Sequence, residues 1–201
     1  MKVIVIDYGA GNVTSVERAL RKSGAEVLTT NRPEEIRSAN CLILPGVGHC
    51  AALIGALDAQ GLRNPLLECI ANGTPFLGIC LGLQALYESS EEAPGFVGLG
   101  LFKGRVSKLP QNIKLPHMGW NQVHASRSSA LLANISPQAY FYFAHSYAAP
   151  DAGPEKAAVT AHGRNFTAVA EQNNIFGVQF HPEKSGAPGA QLLNNFLWLS
   201  A

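Results

Sequence analysis

Short apolar runs that end in glycine-bearing loops, each followed by residues at helical spacing, constrain this chain more than any other feature. Residues 3–7 form the first run, and the loop Tyr8-Gly9-Ala10-Gly11 follows it. Val13, Val16, Ala19 and Leu20 then recur at helical spacing, with Glu17 and Arg18 on another face. Ser23-Gly24 stops that helix. Residues 26–30 read as a second strand, and Pro33-Glu34-Glu35 as the acidic first turn of a short helix. Residues 42–44 make a third strand, stopped by Pro45-Gly46. Apolar helical segments fill 50–59 and 65–71, and residues 75–79 make a fourth strand running into Cys80. Continuous apolar strands linked by helices predict a parallel sheet covered on both faces. Ligands in such sheets sit at the carboxyl ends of the strands. The loops after Asp7, Leu44 and Ile79 all lie at that edge.

The second half has a different rhythm. Residues 104–109, 122–125, 140–144, 157–161, 167–172 and 175–180 are strand-like, Asn173-Asn174 is a hairpin turn between the last two, and 190–199 is a final helix. The expected fold is α/β. A central, mostly parallel or mixed sheet is flanked by helices, with additional antiparallel strands in the C-terminal half, as one domain over residues 1–201. Hydrophobic residues make up 47% and charged residues 14%, which supports a packed core and excludes a disordered chain. A net charge of +1 leaves no basic footprint for nucleic acid or an anionic membrane. The first residues lack the charged, apolar and small-residue regions of a secretory signal. The uncharged stretches 38–57 and 69–87 are long enough to raise a membrane span. They contain Pro45-Gly46-Val47-Gly48-His49 and Asn72-Gly73-Thr74-Pro75, which fit buried strand–turn–helix units better. A cytoplasmic, reducing setting is expected.

Cysteines at 41, 50, 69 and 80 show no C-x-x-C spacing, so neither a zinc site nor a disulfide framework is indicated, and no metal or cofactor is expected. Cys41 and Cys69 read as core thiols, and Cys50 is ambiguous. Cys80 differs. Gly78-Ile79-Cys80-Leu81-Gly82 has the form of a nucleophile elbow with Cys in place of Ser, set between a strand and a helix expected over 83–88. The glycines are needed because chain passes close to a strained turn. The helix dipole favours thiolate, and the Leu81 N–H points where an oxyanion would form. A buried cysteine at an apolar strand–helix junction is the bland alternative.

A thiolate nucleophile needs a proton shuttle to the leaving amine, and His181-Pro182-Glu183 supplies one after the last strand. Pro182 restricts His181 to an extended geometry. Glu183 can accept the imidazole Nδ1–H and set the tautomer. A loop histidine beside an ordinary glutamate is the weaker reading once the elbow is considered. His49 lies beside the glycine loop, while His124 and His162 read as solvent or loop residues. Pro45-Gly46-Val47-Gly48 follows the third strand. Its glycines permit positive φ, so the N–H of Val47, or of Gly46 or Gly48, is the second oxyanion donor beside Leu81. Phosphate binding is disfavoured because no G-x-G-x-x-G or G-K-[ST] follows.

Together, Pro45-Gly46-Val47-Gly48, Gly78-Ile79-Cys80-Leu81-Gly82-Leu83-Gln84 and His181-Pro182-Glu183 resemble the class I (triad) glutamine amidotransferases over nearly the whole chain. That family uses Cys, His and Glu to form a glutamyl thioester, release ammonia and hydrolyse the thioester. Asp7-Tyr8-Gly9-Ala10-Gly11-Asn12, Pro116-His117-Met118-Gly119-Trp120-Asn121, Tyr142-Phe143-Ala144-His145-Ser146-Tyr147 and His181-Pro182-Glu183-Lys184-Ser185 look like the branch that serves as glutaminase subunit of imidazole glycerol phosphate synthase, in histidine biosynthesis. The resemblance implies a heterodimer with a (β/α)8-barrel cyclase subunit that receives the ammonia. It implies that Gln84 and Glu92 hold glutamine, that Ser146 and Tyr147 lie near its carboxylate, and that Asn12, Trp120 and Lys184 face the cyclase. Gly46 and Gly48 would allow the oxyanion loop to stay mispointed until the partner's substrate binds. Departures are Cys50 after His49, where an aromatic or small residue is common, and Ala148-Ala149 in place of a more aromatic continuation.

Each implied residue has a plainer alternative: Trp120 a core aromatic, His145 an orderer of its own loop, Lys184 a solvated charge. Gly119 and Asn121 suggest that Trp120 sits in a turn. Two rival functions compete. One is a free-standing cysteine hydrolase, a peptidase or γ-glutamyl hydrolase on the same fold. The other is a non-catalytic scaffold with a vestigial triad.

Overall fold

The computed structural model describes residues 2–9, 12–95 and 97–200. Ala10 and Gly11, part of the first predicted loop, lie outside them. Strand β1 (Lys2–Ile6), helix α1 (Val13–Lys22), β2 (Glu26–Thr30), α2 (Pro33–Arg37), β3 (Cys41–Gly46), α3 (Cys50–Ala59), α4 (Arg63–Ala71) and β4 (Phe76–Cys80) follow in the expected alternation. Helix α5 (Leu81–Gln84) and strands β5 (Tyr87–Ser90), β6 (Phe102–Lys108), β7 (His117–Gln122) and β8 (His124–Ala125) come next. Then come β9 (Tyr140–His145), β10 (Tyr147–Ala148), β11 (Lys156–Ala161), β12 (Asn165–Gln172) and β13 (Ile175–Val178). A 3-10 turn (Pro182–Lys184) and α6 (Gly186–Leu199) complete the described chain.

The main sheet has eight strands in the order β2-β1-β3-β4-β13-β12-β11-β8. The strands from β2 to β13 pair in parallel, and those from β13 to β8 pair antiparallel. Strand β13 therefore belongs to both halves. Its two-residue turn from β12 is Asn173-Asn174, with Asn173 at φ 54°. Its other edge lies against β4, with Val178 opposite Ile79. That register places the residues after β13 beside Cys80.

Alternate side chains of each parallel strand enter different cores, as the strand period requires. Val3, Val5, Ile43, Leu77 and Ile79 meet Val16 and Leu20 of α1 and Leu192, Leu193 and Phe196 of α6. On the opposite face, Ile4, Ile6, Leu42, Leu44 and Phe76 meet Ile36, Leu53, Leu57 and Leu66 of α2, α3 and α4. Full burial of each such side chain contributes roughly 1.5–3 kcal/mol, so both helical layers are held by the same strands. Among the described residues no helix is long and apolar enough to cross a membrane. The uncharged stretches resolve into β3, α3, α4, β4 and α5 with their turns.

The helix expected over 83–88 is corrected. Helix α5 has four residues, and Tyr87 begins a strand. The carbonyls of Ala85 and Leu86 are taken by the amides of Leu99, Leu101 and Phe102, so the helical ladder stops there. A one-turn helix has little macrodipole, and only the N–H groups at its start act on Cys80. Strand β7 is a second difference. It pairs antiparallel with β9, Trp120 opposite Tyr142, so Trp120 lies in a strand and not in a turn. The final helix starts at Gly186 instead of near residue 190.

Candidate active site

Cys80 ends β4 with φ 54°, a conformation that L residues rarely adopt, and the turn reverses at once into α5. Close packing holds it there. A Cβ on Gly78 would lie 2.6 Å from the Gly82 carbonyl carbon, and one on Gly82 would overlap the Leu44 carbonyl oxygen. Gly46 is corrected: it lies in β3, opposite Cys80, without positive φ. A Cβ on it would come 2.7 Å from Leu81 Cβ, so it is needed for space. Gly48 does have positive φ, at 102°.

His181 follows β13 at φ −101°, ψ 96°, the extended geometry that Pro182 favours. Its main-chain N–H donates to Tyr142 O at 2.8 Å, and its carbonyl accepts from Ser185 Oγ at 2.6 Å. Its Nδ1 lies 2.9 Å from Glu183 Oε1, with both side chains buried. Burial alone would lower its pKa. Hydrogen bonding to Cys80 and Glu183, and the charges of both, outweigh that and push His181 up to about 10. The imidazole therefore stands between sulfur and carboxylate, and both favour its protonated form. Glu183 Oε2 is buried with no partner among the described residues.

A cleft of about 250 Å3 opens over Cys80. Val47, Gly48, Leu81, Gln84, Glu92, Ser146 and Tyr147 line it, together with Pro116, Ala144 and His145. The residues expected to form the oxyanion hole and to hold glutamine thus converge on one space, Gly46 lying just behind it in β3. Glu92 Oε2 accepts from the Cys50 amide at 2.7 Å, at the start of α3. His49 caps the same helix: its Nδ1 accepts from the Ala51 amide at 3.2 Å, so its Nε2–H donates to Glu92 O at 3.1 Å. Cys50 is buried behind the cleft, its Sγ 3.6 Å from Gln84 Oε1, and burial pushes its thiol up. Burial also pushes Cys41 up to about 11, which leaves it an inert core thiol.

Several participants were not singled out as site residues in the sequence. Tyr8 is buried, and burial pushes its hydroxyl up to about 12, partly offset by the Val47 amide that faces it. Gln179 is fully buried, with its Nε2 3.6 Å from Cys80 Sγ. Its signal was a lone polar residue inside Ile175-Phe176-Gly177-Val178-Gln179-Phe180. His162, expected as a solvent or loop residue, lies in the loop between β11 and β12, where it stacks on His117 at 4.2 Å between ring centroids and reaches Lys114 O at 2.8 Å. His117 is itself stacked on Phe143 at 4.8 Å.

Asn12, Trp120 and Lys184 lie away from the cleft. Trp120 is 56% exposed and is no core aromatic. It meets Tyr142 edge-on at 6.0 Å, and the Lys184 ammonium stands 5.8 Å above the same Tyr142 ring. Asn12 precedes α1 at the carboxyl edge of β1.

The family model described as glutamine amidotransferase class-I matches residues 4–199. Imidazole glycerol phosphate synthase subunit HisH of Methanothermobacter thermautotrophicus is 47% identical over 195 residues, 97% of this chain and 97% of that protein. The protein of that name from Deinococcus radiodurans is 44% identical over 199 residues, 97% of this chain and 92% of its own. A crystal structure of glutamine amidotransferase has the same fold, with a TM-score of 0.79 at 18% identity over 98% of both chains. The chain belongs to the class-I glutamine amidotransferase family.

Proposed function

We propose that the chain hydrolyses glutamine through a Cys80 thioester and passes the ammonia to a (β/α)8-barrel cyclase subunit. The product pair there is imidazole glycerol phosphate and an aminoimidazole carboxamide ribotide, in histidine biosynthesis. The observation that carries this reading is the parallel register of β4 and β13, which sets the sulfur against an imidazole raised to about 10. Relatives named as synthase subunits over nearly their whole length support it over a free-standing hydrolase.

The Cys80 thiolate attacks the side-chain amide carbon of glutamine. The Leu81 amide holds the oxyanion, and the Val47 amide, which faces Tyr8 in this structure, joins it once the oxyanion loop turns inward, each such donor contributing about 2.7–4 kcal/mol. Protonated His181 gives its proton to the departing nitrogen as the C–N bond breaks, leaving a glutamyl thioester and ammonia. The now neutral imidazole takes a proton from water, the hydroxide displaces sulfur, and glutamate leaves. Glu183 keeps the ring oriented and stabilises its charge. Gln84 and Glu92 hold the glutamine, and Ser146 and Tyr147 lie near its carboxylate. Asn12, Trp120 and Lys184 meet the cyclase.

Two measurements test this. Cys80→Ala lowers glutamine turnover at least about 10³-fold. Turnover of the wild-type chain rises when the barrel subunit and its substrate are added. Full activity in the chain alone would overturn the synthase assignment and favour a free-standing hydrolase.

A further inference from the structure

Tyr147 offers one main-chain carbonyl to two side chains, and a carbonyl only accepts, so it fixes the direction of every hydrogen bond that leads away from it. On one side His145 Nδ1 lies 2.8 Å from that oxygen and must carry the proton. Its Nε2 therefore accepts from His117 Nδ1 at 3.1 Å, and His117 Nε2 accepts from Asn121 Nδ2 at 3.4 Å. On the other side Gln84 Nε2 donates to the carbonyl at 2.8 Å and to Gln179 Oε1 at 3.1 Å. Reversing the Gln84 amide would set oxygen against oxygen at Tyr147. Gln179 therefore turns its oxygen to Gln84 and its Nε2–H to Cys80 Sγ, 3.6 Å away.

Two further observations fit this direction. Cys50 Sγ lies 3.6 Å from Gln84 Oε1, and burial pushes that thiol up to about 12, so it stays protonated and donates. Gln179 itself stands one residue past the Val178–Ile79 pair, level with Cys80, and is fully buried. A carboxamide in that position carries a desolvation cost unless both its ends are used. One end is used on Gln84, and the other on the sulfur.

We propose that Gln179 is a catalytic residue whose carboxamide N–H holds the Cys80 sulfur and stabilises its thiolate, with Gln84 and the Tyr147 carbonyl setting its direction. An N–H donor binds a charged acceptor about twice as strongly as a neutral one, so it shifts the thiol–thiolate balance toward the nucleophile. The bond weakens as the sulfur gives its charge to the thioester and is restored when the thioester is hydrolysed. The inference rests on Cys80 being the nucleophile.

Alkylation of the full chain by iodoacetamide across pH, read for each cysteine by peptide mass spectrometry, tests both assignments separately. Gln179→Met keeps the volume and removes the donor. The alkylation midpoint of Cys80 should rise by about one pH unit, and its rate at neutral pH should fall about tenfold. Gln179→Glu keeps the acceptor for Gln84, so it guards against a folding loss in the first variant, and it should raise the midpoint further. Protection of Cys41, Cys50 and Cys69 shows that each variant is folded. An unchanged Cys80 midpoint in a folded variant overturns the role of Gln179. Wild-type Cys80 reacting no faster than Cys41 instead overturns the nucleophile assignment beneath it.

Discussion

Gly82 has no room for a methyl group, because the Leu44 carbonyl oxygen fills the space where a Cβ would stand. Neither partner is a flexible side chain, so relief must come from backbone movement. Gly82→Ala is expected to destabilise the fold by about 3 kcal/mol or more, read as a lower urea midpoint, and to displace Cys80 enough to abolish turnover. Gly48→Ala is expected to behave differently. A Cβ there meets nothing within 4 Å, but φ is 102°, so the cost is about 1–3 kcal/mol of backbone strain, with turnover falling more than stability. The elbow was legible because each of its glycines has a steric duty that the sequence pattern records. Gly46 was legible as essential but for another reason, since its conformation is ordinary and its space is not. Gln179 was not legible as a partner of Cys80: its contact depends on a strand register that no local pattern announces.

At the level of elements, β1 to β4 and their helices were readable because apolar runs and helical spacing agree with burial on both faces. Strands β5 and β7 were not. The residues of β7, His117-Met118-Gly119-Trp120-Asn121-Gln122, hold few strand formers, and the ladder with β9 decides the conformation. That ladder puts two kinds of side chain back to back. Met118, Trp120 and Tyr140 are exposed on one side, while His117, Phe143 and His145 are buried on the other. Trp120→Ala should therefore weaken binding of the cyclase by about 30-fold or more, measured by calorimetric titration, with the thermal stability of the isolated chain nearly unchanged. A large loss of stability would place Trp120 in the packing of this chain and not in its interface.

Across the whole molecule, buried histidines of opposite tendency set the response to pH. Burial and the neighbouring His162 push His117 down to about 4, and burial pushes His145 down to about 3. The unfolded chain binds protons at both as pH falls through about 6.5, while the folded chain refuses them until about pH 4 at His117 and about pH 3 at His145, so stability declines from about pH 6.5 toward pH 3. His181 is raised to about 10, so its stabilisation is complete below about pH 6.5 and is lost as pH rises through 10. Urea midpoints should be highest near neutrality and fall on both sides. His117→Phe should flatten the acid limb by about one proton.

The nucleophile, its base and the oxyanion loop gather at one rim of the main sheet. The chain leaves β1, β3, β4 and β13 there toward Asn12, Val47, Cys80 and His181. The turns that enter β3, β4 and β13 occupy the far rim, among them the exposed Asn72-Gly73 before β4, where Gly73 at φ 90° touches nothing with its open side. A fluorescent domain or surface tether spliced in at Gly73 should therefore ride along silently, leaving glutamine consumption and capture of the barrel at their normal values. The enzyme has a front and a back, and its back can be used as a handle.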